Sequence, residues 1–543
     1  MANSPDNPMV TNDGIKVLPS RIVAVPTGVP VFIGYTRKAG EADQSLSGKP
    51  VRIASFGEFE RVFGAGPDPV LTIDEFSCDE TGEPAMADGA ASYTLRRVTP
   101  AFHLFQSLEL FYLNGGESCY IISVGDYGEV PAAATLIAGL EVLENVAEPS
   151  LVLVPDAVSL DSLSECVSVQ QAVLAHCARS EGRFAILDIP EGYRSRDDGK
   201  DCIGQFRGAL GINHLSYGAA YYPWLYLKPS LLPDPSFRNL DSESRMTLGR
   251  IIGKEQDKEQ DKEQDKEQGK EQGKERGHES DAGLGEAVAC DAEVDSDADF
   301  GDIQALSNRL IEGLQLGTSI EIDGDAGKLE LALRERSLAY RQYVRKCREL
   351  LSLVPPGGAV AGLYVSVDTG RGVWQSPANV SLNGISKPAV RLTDDDQQDL
   401  NNTPQGKSIN TIRSFAGRGV LVWGGRTLDG NSDQWRYISV RRTVIMVEHS
   451  IRRACQAYVF SPNDAGTWNA MKSVINPFLE DIWRQGGLRG SKADEAYAVR
   501  LGLGETMTEQ DVLQGQLHIQ VMMALLRPAE FLVITITLDM QTH

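Results

Sequence analysis

Short segments of this 543-residue sequence imitate motifs that bind phosphate or break bonds, but each lacks a required residue. The segment PQGKSI, Pro404–Ile409, contains the Gly-Lys-Ser of a phosphate-binding loop, which needs another glycine where Asn401 stands. A dinucleotide-binding turn starting at Gly64 fails because its third glycine is replaced by Pro69. Neither Gly-x-Ser-x-Gly nor His-Glu-x-x-His occurs. We therefore predict no cofactor and no enzymatic activity.

The seven histidines and eight cysteines form no local pattern of metal ligands. No histidine lies within four residues of another, and no Cys-x-x-Cys pair occurs, so neither a metal site nor a disulfide framework is predicted. His176 lies next to Cys177, which suggests a thiolate–imidazole pair. Because adjacent helical residues point about 100° apart, we expect one of the two to be partly exposed and the other buried.

A basic block occupies Trp435–Ala454 in a chain whose net charge is −23. Arginines beside aromatic residues can bind nucleic acid, and they are also typical of protein–protein contacts. The negative net charge disfavours nucleic acid and favours a protein partner with an acidic face. Four arginines of this block are the candidate contact residues: Arg441, Arg442, Arg452 and Arg453.

The composition, 42% hydrophobic and 23% charged, is that of a soluble globular protein, and the length predicts two to four domains. No apolar run reaches the roughly 18–20 residues that a membrane-spanning helix needs. The polar start, MANSPDNPMVTNDG, lacks the pattern of a secretory signal, so folding in the cytoplasm is expected.

The hydrophobic pattern alternates between strands and helices in the first half of the chain. Predicted strands are Val25–Thr36, Ser118–Gly125, Ser150–Ala157 and Arg183–Pro190, with helices at Phe102–Gly116 and Ala132–Leu143. This alternation indicates a mixed α/β fold with parallel strands. Later in the chain, a single long amphipathic helix is predicted over Leu329–Val354, and Phe531–Met540 is rich in strand-forming residues.

Residues 253–277 read GKEQDKEQDKEQDKEQGKEQGKERG, a repeat with a period of four. Like charges therefore recur at i,i+4, while Glu-to-Lys pairs at i,i+3 offset their repulsion. Because no apolar residue appears, a coiled coil has no seam, and the pattern predicts a marginal helix or disorder. We interpret residues 236–325, which include the repeat and an acidic stretch, as a tolerated surface insertion.

Outside that insertion, the sequence resembles contractile tail sheath proteins of phages and phage-tail-like injection systems. The resemblance is carried by successive blocks spread along the chain, and those of the C-terminal third are the most similar. The blocks are VPTGVPVFIGYT, Leu113–Gly116 with SCYII, RFAILDIP, SYGAAYYPWL, INTIRSFAGRGVLVWGGRTL, WRYISVRR, FLEDIWRQGGLRG and RPAEFLVITI.

The resemblance implies a multidomain mixed α/β (α+β) protein. It implies an N-terminal arm at 1–22, an outer α/β region at 23–235, the insertion at 236–325, a sheath core at 326–528 and a C-terminal strand arm at 529–543. The arms would add strands to neighbouring subunits, building six-subunit rings into a helical sheath around an inner tube. Residues assigned to the arms are Ile15, Val17, Phe531, Val533, Thr535 and Thr537.

The resemblance also implies partners and a location. The partners would be further copies of the chain, an inner tube protein, and baseplate and cap proteins, with no direct nucleic acid contact and no stable membrane insertion. Assembly would occur in the bacterial cytoplasm, as part of a particle that can be released. Two alternatives are a sheath paralogue forming a ring near the baseplate or cap, and a soluble α/β enzyme whose site consists of scattered carboxylates.

Overall fold

The computed structural model describes residues 21–41, 44–75, 85–87, 91–98, 100–196, 199–255, 326–401, 403–404, 406–526 and 532–539, with backbone alone for 41, 44, 87, 326–329, 332 and 532–539. The chain forms two compact units. The first, the sheet unit, comprises residues 1–67, 102–228 and 353–543; the second, the small unit, comprises 68–101 and 229–352.

Strands occur throughout the described residues and are numbered in chain order. They are β1 (Pro30–Thr36), β2 (Gly40–Glu41), β3 (Gln44–Ser45), β4 (Val51–Ile53), β5 (Leu71–Glu75), β6 (Met86–Ala87), β7 (Ser92–Arg97), β8 (Cys119–Asp126), β9 (Leu151–Leu153), β10 (Phe184–Asp188), β11 (Gly218–Tyr222), β12 (Leu225–Leu227), β13 (Leu353–Val354), β14 (Val380–Ser381), β15 (Ile385–Pro388), β16 (Asn410–Phe415), β17 (Gly419–Trp423), β18 (Tyr497–Arg500), β19 (Gln516–Met523) and β20 (Leu532–Asp539).

The α-helices are numbered in the same way. They are α1 (Phe56–Phe63), α2 (Leu104–Leu113), α3 (Ala133–Glu141), α4 (Leu163–Ser180), α5 (Cys202–Ala209), α6 (242–255, at the end of a described range), α7 (Ala326–Arg336), α8 (Leu338–Ser352), α9 (Gly357–Arg371), α10 (Asp394–Asn401), α11 (Ile438–Cys455), α12 (Ala465–Arg484), α13 (Ala493–Ala496) and α14 (Glu509–Leu513).

A nine-stranded sheet forms the centre of the sheet unit, in the order β14-β17-β16-β11-β10-β9-β1-β8-β4. The run from β16 to β8 is parallel, and β17, β14 and β4 are antiparallel additions at its ends. Every residue of β1 is buried, as expected for a parallel strand covered on both faces. The predicted mixed α/β fold with parallel strands is confirmed.

Helices cover both faces of this sheet. On one face, Val31 and Ile33 of β1 share a buried cluster with residues of α3, α4 and α5, including Leu140, Val173 and Phe206. On the other face, the ring of Phe32 meets that of Phe111 on α2, with centroids 5.5 Å apart. The alternating side chains of one strand thus bind two helical layers.

Helices α2 and α9 approach each other closely through glycines of α9. A Cβ added at Gly358 would lie 2.5 Å from Ser107 Cα, and one added at Gly362 would lie 3.0 Å from Asn114 Cβ. Any larger residue would force the helices apart. Helix α8 ends at Ser352, and α9 begins shortly afterwards at Gly357.

The small unit has its own core, made by the sheet β5-β7-β6 and the helices α6, α7 and α8. The single helix predicted over Leu329–Val354 is wrong, because the chain forms α7 and α8 with a break at Ser337. Ser337 Oγ accepts a hydrogen bond from Tyr340 N at 3.0 Å and so caps the start of α8.

The boundaries of the compact units differ from those expected from the sequence. Strands β16 and β17, from the expected core region 326–528, complete the sheet begun by β1 and β8 in the expected outer region 23–235. The small unit instead combines 68–101 with 229–352. Pairing between β11 and β16 joins residues nearly 190 positions apart, and no local pattern predicts such a contact.

Candidate assembly interface

The C-terminal strand β20 lies at the edge of a three-stranded sheet in the order β18-β19-β20. It pairs antiparallel with β19 along its whole length, from Gln516↔Asp539 to Met523↔Leu532. Among the described residues, β19 is its only strand neighbour, so its other backbone edge is unpaired there. An unpaired edge can accept a further strand.

The predicted arm residues occupy different places with respect to this sheet. Val533, Thr535 and Thr537 lie in β20, opposite Met522, Gln520 and His518 of the same chain. Ile15, Val17 and Phe531 lie outside the described residues. Exchange of these strands between subunits therefore stays a prediction.

The first described residues, 21–29, run along the C-terminal helices and are called the N-terminal strap here. Arg21 Nη2 lies 2.9 Å from Asp481 Oδ2 of α12, and the side chain of Ile22 is buried among apolar residues of α11 and α12. Val25 N donates to Ser450 Oγ of α11 at 2.9 Å. The strap then continues into β1 of the central sheet, so it links both parts of the sheet unit.

Arg442 joins the strap to two helices through a buried network. Its guanidinium donates to both carboxylate oxygens of Asp368 on α9, at 2.9 and 2.6 Å, and to the carbonyl of Thr27 at 2.9 Å. Thr27 Oγ1 also donates to Asp368 Oδ2 at 2.6 Å. Both charged side chains are nearly inaccessible, at 4% and 6% exposure. This bidentate geometry satisfies two charges that would otherwise be costly to bury.

The same guanidinium stacks on an aromatic ring. It lies 4.7 Å from the ring centroid of Tyr364, whose hydroxyl is 2.7 Å from that of Tyr221 on β11. The buried Arg442 network therefore contacts the central sheet as well as the strap. The sequence predicted Arg442 as a contact residue but gave no sign of Asp368, which is 74 positions away.

Arg441, the preceding residue, is buried between two rings. Its guanidinium lies 3.7 Å from the ring centroid of Tyr217 and 4.3 Å from that of Trp435. Burial lowers its pKa, and its Nε has no hydrogen-bond partner among the described residues. Stacking between aromatic rings thus replaces hydrogen bonds to water on this side chain.

The two arginines at the other end of α11 are accessible. Arg452 is 37% exposed and pairs with Glu448 Oε1 at 3.0 Å and with Glu181. Arg453 is exposed, and no ion pair of its side chain occurs among the described residues. Of the four candidate arginines, Arg441 and Arg442 are thus occupied within the chain, whereas Arg452 and Arg453 present charge to the surface.

The residues that imitate catalytic motifs have structural contacts. The ammonium of Lys407 donates to the carbonyl of Arg207, and Ser408 Oγ donates to that of Asn401, so neither group is aimed at a phosphate. His176 and Cys177 are both buried, which corrects the expectation that one of them is partly exposed. Burial is possible for His176 because its ring is hydrogen-bonded to Arg183.

The electrostatics of this pair oppose a reactive thiolate. Burial and the charges of Arg183 and Arg179 lower the pKa of His176 to about 4, and burial raises the pKa of Cys177 to about 12. Both groups are therefore neutral at pH 7. No cluster of three or more potential metal ligands occurs among the described residues.

Two buried carboxylates, Asp188 at the end of β10 and Asp156 shortly after β9, hold the starts of α9 and α2. Asp188 Oδ1 accepts a hydrogen bond from Gly357 N at the start of α9, at 2.7 Å. Asp156 accepts from His103 N at 2.6 Å and from Tyr35 N at 2.7 Å. Burial raises the pKa of Asp156 to about 6 and that of Asp188 to about 7. Their hydrogen bonds to main-chain amides favour a structural role.

No helix in the described part of the chain has the length and apolar character needed to cross a membrane.

Two family models match the C-terminal half of the chain. Residues 320–428 match the central domain of phage tail sheath proteins, and residues 431–539 match the phage tail sheath C-terminal domain. The tail sheath protein of Burkholderia phage BcepMu is 32% identical over 146 residues, covering 26% of this chain and 30% of that protein. The tail sheath protein of Vibrio phage KVP40 is 28% identical over 152 residues, covering 27% of this chain and 22% of that protein. The chain thus spans less than a third of these relatives.

Solved structures match nearly the whole chain. A chain of the anti-feeding prophage baseplate in the contracted state gives a TM-score of 0.58 at 25% identity, covering 99% of this chain and 100% of that one. A second match is a chain of the contracted sheath complex of PVC, an extracellular contractile injection system. Its TM-score is 0.54 at 22% identity, and the match covers 99% of both chains. The matched families are structural sheath proteins rather than enzymes. Residues 320–428 and 431–539 are therefore similar to the central and C-terminal domains of phage tail sheath proteins, and the chain shares the fold of a contractile injection system sheath.

Proposed function

We propose that this chain is the structural subunit of a contractile sheath that polymerises around an inner tube and drives it through a target membrane. The observation that carries this proposal is the full-length similarity to chains of contractile assemblies, together with the two sheath domains. The particle would be assembled in the bacterial cytoplasm and then act as a phage tail or as a released injection system. Its further partners would be baseplate and cap proteins.

In this proposal, subunits are joined by strand exchange at the C-terminal sheet. An edge strand at the chain terminus can make the same main-chain hydrogen bonds to β19 of its own chain or to β19 of a neighbour. Eight residues, 524–531, separate β19 from β20, and this connection is where the chain would open. The intrachain register Gln516↔Asp539 to Met523↔Leu532 would then be the register between subunits.

The N-terminal arm would leave each subunit from the strap. Because residues 21–29 are held to α9, α11 and α12, the residues before them start from a fixed point. An arm with a fixed origin can transmit tension from a neighbouring subunit into the helices. Ile15 and Val17 would supply strand-forming residues in that arm.

The exposed end of α11 is our candidate for contact with the tube or an adjacent subunit. Arg452 and Arg453 are accessible and charged, and they would face an acidic surface on the partner. Arg441 and Arg442 would support that surface from inside the chain. The insertion at 236–325 would lie on the outer side of the sheath.

Contraction in this proposal uses no nucleotide. The extended sheath would be a trapped state of higher free energy, and rearranged interfaces would each release a few kcal/mol, summed over many subunits. The contacts of Lys407 and Ser408 agree with this, since the one phosphate-loop-like segment is used for packing.

Electron microscopy of the purified full-length chain tests the proposal. We expect rings or tubes of large diameter, with longer tubes when the inner tube protein is present. Removing residues 529–543 should abolish tubes while circular dichroism shows retained helices and sheet. A chain that stays a small discrete species under all these conditions would contradict the sheath function, whereas normal tubes from the truncated chain would contradict strand exchange alone.

A further inference from the structure

The guanidinium of Arg452, at the end of α11, is shared between two carboxylates. Its Nη1 is paired with Glu181 Oε2, and its Nη2 lies 3.0 Å from Glu448 Oε1. Glu448 lies one turn earlier on α11, whereas Glu181 belongs to the turn between α4 and β10. A guanidinium binds one carboxylate most strongly through two parallel hydrogen bonds, but here its two terminal nitrogens are divided between two acceptors.

Glu181 has a backbone conformation that most residues avoid. It follows the last residue of α4 with a φ of 54° and a ψ of −9°, in the left-handed region where helix ends usually place glycine. A residue with a Cβ is less favourable there than glycine is. Strain that persists at one residue indicates that its side chain is used, and the carboxylate of Glu181 is paired with Arg452.

The turn that carries Glu181 has a fixed position beside α11. A Cβ added at the next residue, Gly182, would overlap the imidazole of His449 on α11. Arg183 is buried, and its Nε donates to the carbonyl of Pro149 at 3.1 Å. The backbone of this turn therefore presents the Glu181 carboxylate to the last turns of α11.

The two carboxylates that share Arg452 differ in exposure and act on each other. The side chain of Glu181 is 43% exposed, and that of Glu448 is 19% exposed. Burial raises the pKa of Glu448, the charge of Arg452 opposes this, and the charge of Glu181 adds to it. Because Glu181 is the more exposed of the two and its ion pair is accessible to water, its contact with Arg452 is the one that opens first.

We propose that Glu181 is a latch that holds Arg452 within the unassembled subunit until a carboxylate of the partner replaces it. A carboxylate that binds both terminal nitrogens of Arg452 must displace one of the present acceptors, and Glu181 is the acceptor that leaves. Arg453 is exposed and has no ion pair among the described residues, so it is available at once. This inference rests on the proposed function, in which the end of α11 meets an acidic surface, and it orders the contacts: Arg453 binds first and Arg452 second.

The latch favours one kind of partner. A single acidic group gains little from Arg452, because it only replaces one carboxylate by another. A surface already bound through Arg453 presents its further carboxylates at a high local concentration and can replace Glu181. The latch therefore selects an extended acidic surface over isolated acidic groups.

Chemical modification of the unassembled full-length chain tests the hold on Arg452. Phenylglyoxal, a dicarbonyl that reacts with accessible guanidinium groups, is added, and tandem mass spectrometry locates the modified arginines. In Glu181→Gln, Arg452 should react about two- to fivefold faster, because an accessible ion pair has been removed. Glu181→Gly should free Arg452 equally and should also raise the thermal midpoint of unfolding, because glycine is favoured in the left-handed region.

Glu144→Gln is the matched control for this measurement. Glu144 Oε1 lies 3.5 Å from Nη2 of Arg179 on α4, so the variant removes the same charge from another accessible ion pair. Arg452 in Glu144→Gln should react at the rate of the parent chain. Unchanged reactivity of Arg452 in Glu181→Gln, or equal acceleration in Glu144→Gln, would overturn the latch.

A double-mutant cycle on assembly tests the replacement of Glu181 by the partner. The measured quantity is the lowest concentration of the chain that forms sedimentable tubes with the inner tube protein. Glu181→Gln should lower this concentration about two- to fivefold, and Arg452→Met should raise it. In the Arg452→Met background, Glu181→Gln should have no effect, because no cation is left to release.

The outcomes separate the latch from the proposed function. If Glu181→Gln lowers the concentration equally with and without Arg452, the effect is one of net charge and the latch is excluded. If Arg452→Met assembles like the parent chain, the contact assigned to Arg452 is wrong and the latch has no role in assembly, whereas the sheath function stands because tubes still form. The modification experiment needs no assembly, so an unchanged reactivity of Arg452 in Glu181→Gln rejects the latch whatever the tubes show.

Discussion

The two ends of helix α11 carry the same residue type in two different environments. At the start, Arg441 and Arg442 are buried, one between aromatic rings and the other against Asp368. At the end, Arg452 is partly exposed and Arg453 is exposed. The comparison teaches that one basic block in a sequence can contain both buried arginines with partners inside the chain and accessible arginines, and that the sequence alone does not separate the two kinds.

The largest expected effect comes from removing the buried charge that has a partner. Arg442→Ala leaves Asp368 buried without its cation and releases the Thr27 carbonyl, and we expect a loss of about 3–5 kcal/mol in the free energy of unfolding. Urea denaturation of the full chain measures it. The double variant Arg442→Met with Asp368→Leu should recover part of the lost stability. If Arg442→Ala lowers the free energy of unfolding by less than about 1 kcal/mol, as expected for an exposed arginine, the two ends of α11 do not differ in the way described.

Removing the stacked arginine should have a smaller effect. Arg441→Ala deletes two ring contacts, and no ion pair of Arg441 like that of Arg442 occurs in the described part of the chain. We expect a loss of about 1–3 kcal/mol. Arg441→Met, which keeps an apolar side chain between the rings, should lose less. If both variants unfold as readily as Arg442→Ala, the stacking account of this residue is incorrect.

Asp188 provides a further comparison with Arg442, because it is a buried ionisable group whose hydrogen-bond donor is a main-chain amide. The pKa of Asp188 is raised by burial to about 7, so the folded chain binds its proton more tightly than the unfolded chain does. Protonated Asp188 therefore stabilises the folded chain fully at a pH below the pKa of the unfolded chain, which is about 4. This stabilisation is lost as the pH rises through about 7, the pKa of Asp188 in the folded chain.

The variant Asp188→Asn isolates this contribution, because the amide can still accept from Gly357 N. We expect the variant to lose less stability than the parent chain between pH 5.5 and pH 8 in denaturant titrations. His176, whose pKa is lowered, contributes the opposite slope and is unchanged in both chains. Parallel pH profiles for the two chains would show that Asp188 does not titrate in this range.

The smallest effect on stability should come from the exposed end of α11. Arg453→Glu should change the free energy of unfolding by less than about 1 kcal/mol, because its side chain is in water. The same change should prevent or weaken assembly around the tube, seen in electron micrographs and as a loss of co-sedimentation with the tube protein. Arg61→Glu, an exposed arginine on α1, serves as a control. Normal assembly by Arg453→Glu would exclude this residue from the interface.

The sequence predicted the parts of this fold whose signals are local. Helix α2, ending at Asn114-Gly115, and the strands β8, β9 and β10 lie where hydrophobic periodicity and turn residues placed them. In contrast, the pairing of β11 with β16 and the ion pair of Arg442 with Asp368 join distant segments. Propensity and periodicity carry no information about such contacts.

The candidate site shows the same limit. Sequence patterns identified the arginines of α11 and the strand-forming C terminus, but they could not separate the buried from the exposed arginines. Nor could they predict that the Glu255 carboxylate accepts a hydrogen bond from Ser337 Oγ, which lies 82 positions later, just before α8. Residues 253–255, the first of the repeat, belong to α6.

The central claim is that the C-terminal strand joins neighbouring subunits, and cross-linking of a register pair tests it most directly. Cysteines are placed at His518 and Thr537, which are opposite each other in β19 and β20, and at Val499 and Val521 of β18 and β19 as an intrachain control. After oxidation of assembled tubes and denaturing electrophoresis, the account predicts a ladder of covalent multimers for the first pair and monomers for the second. Monomers alone for the first pair, with its thiols fully oxidised, would contradict strand exchange.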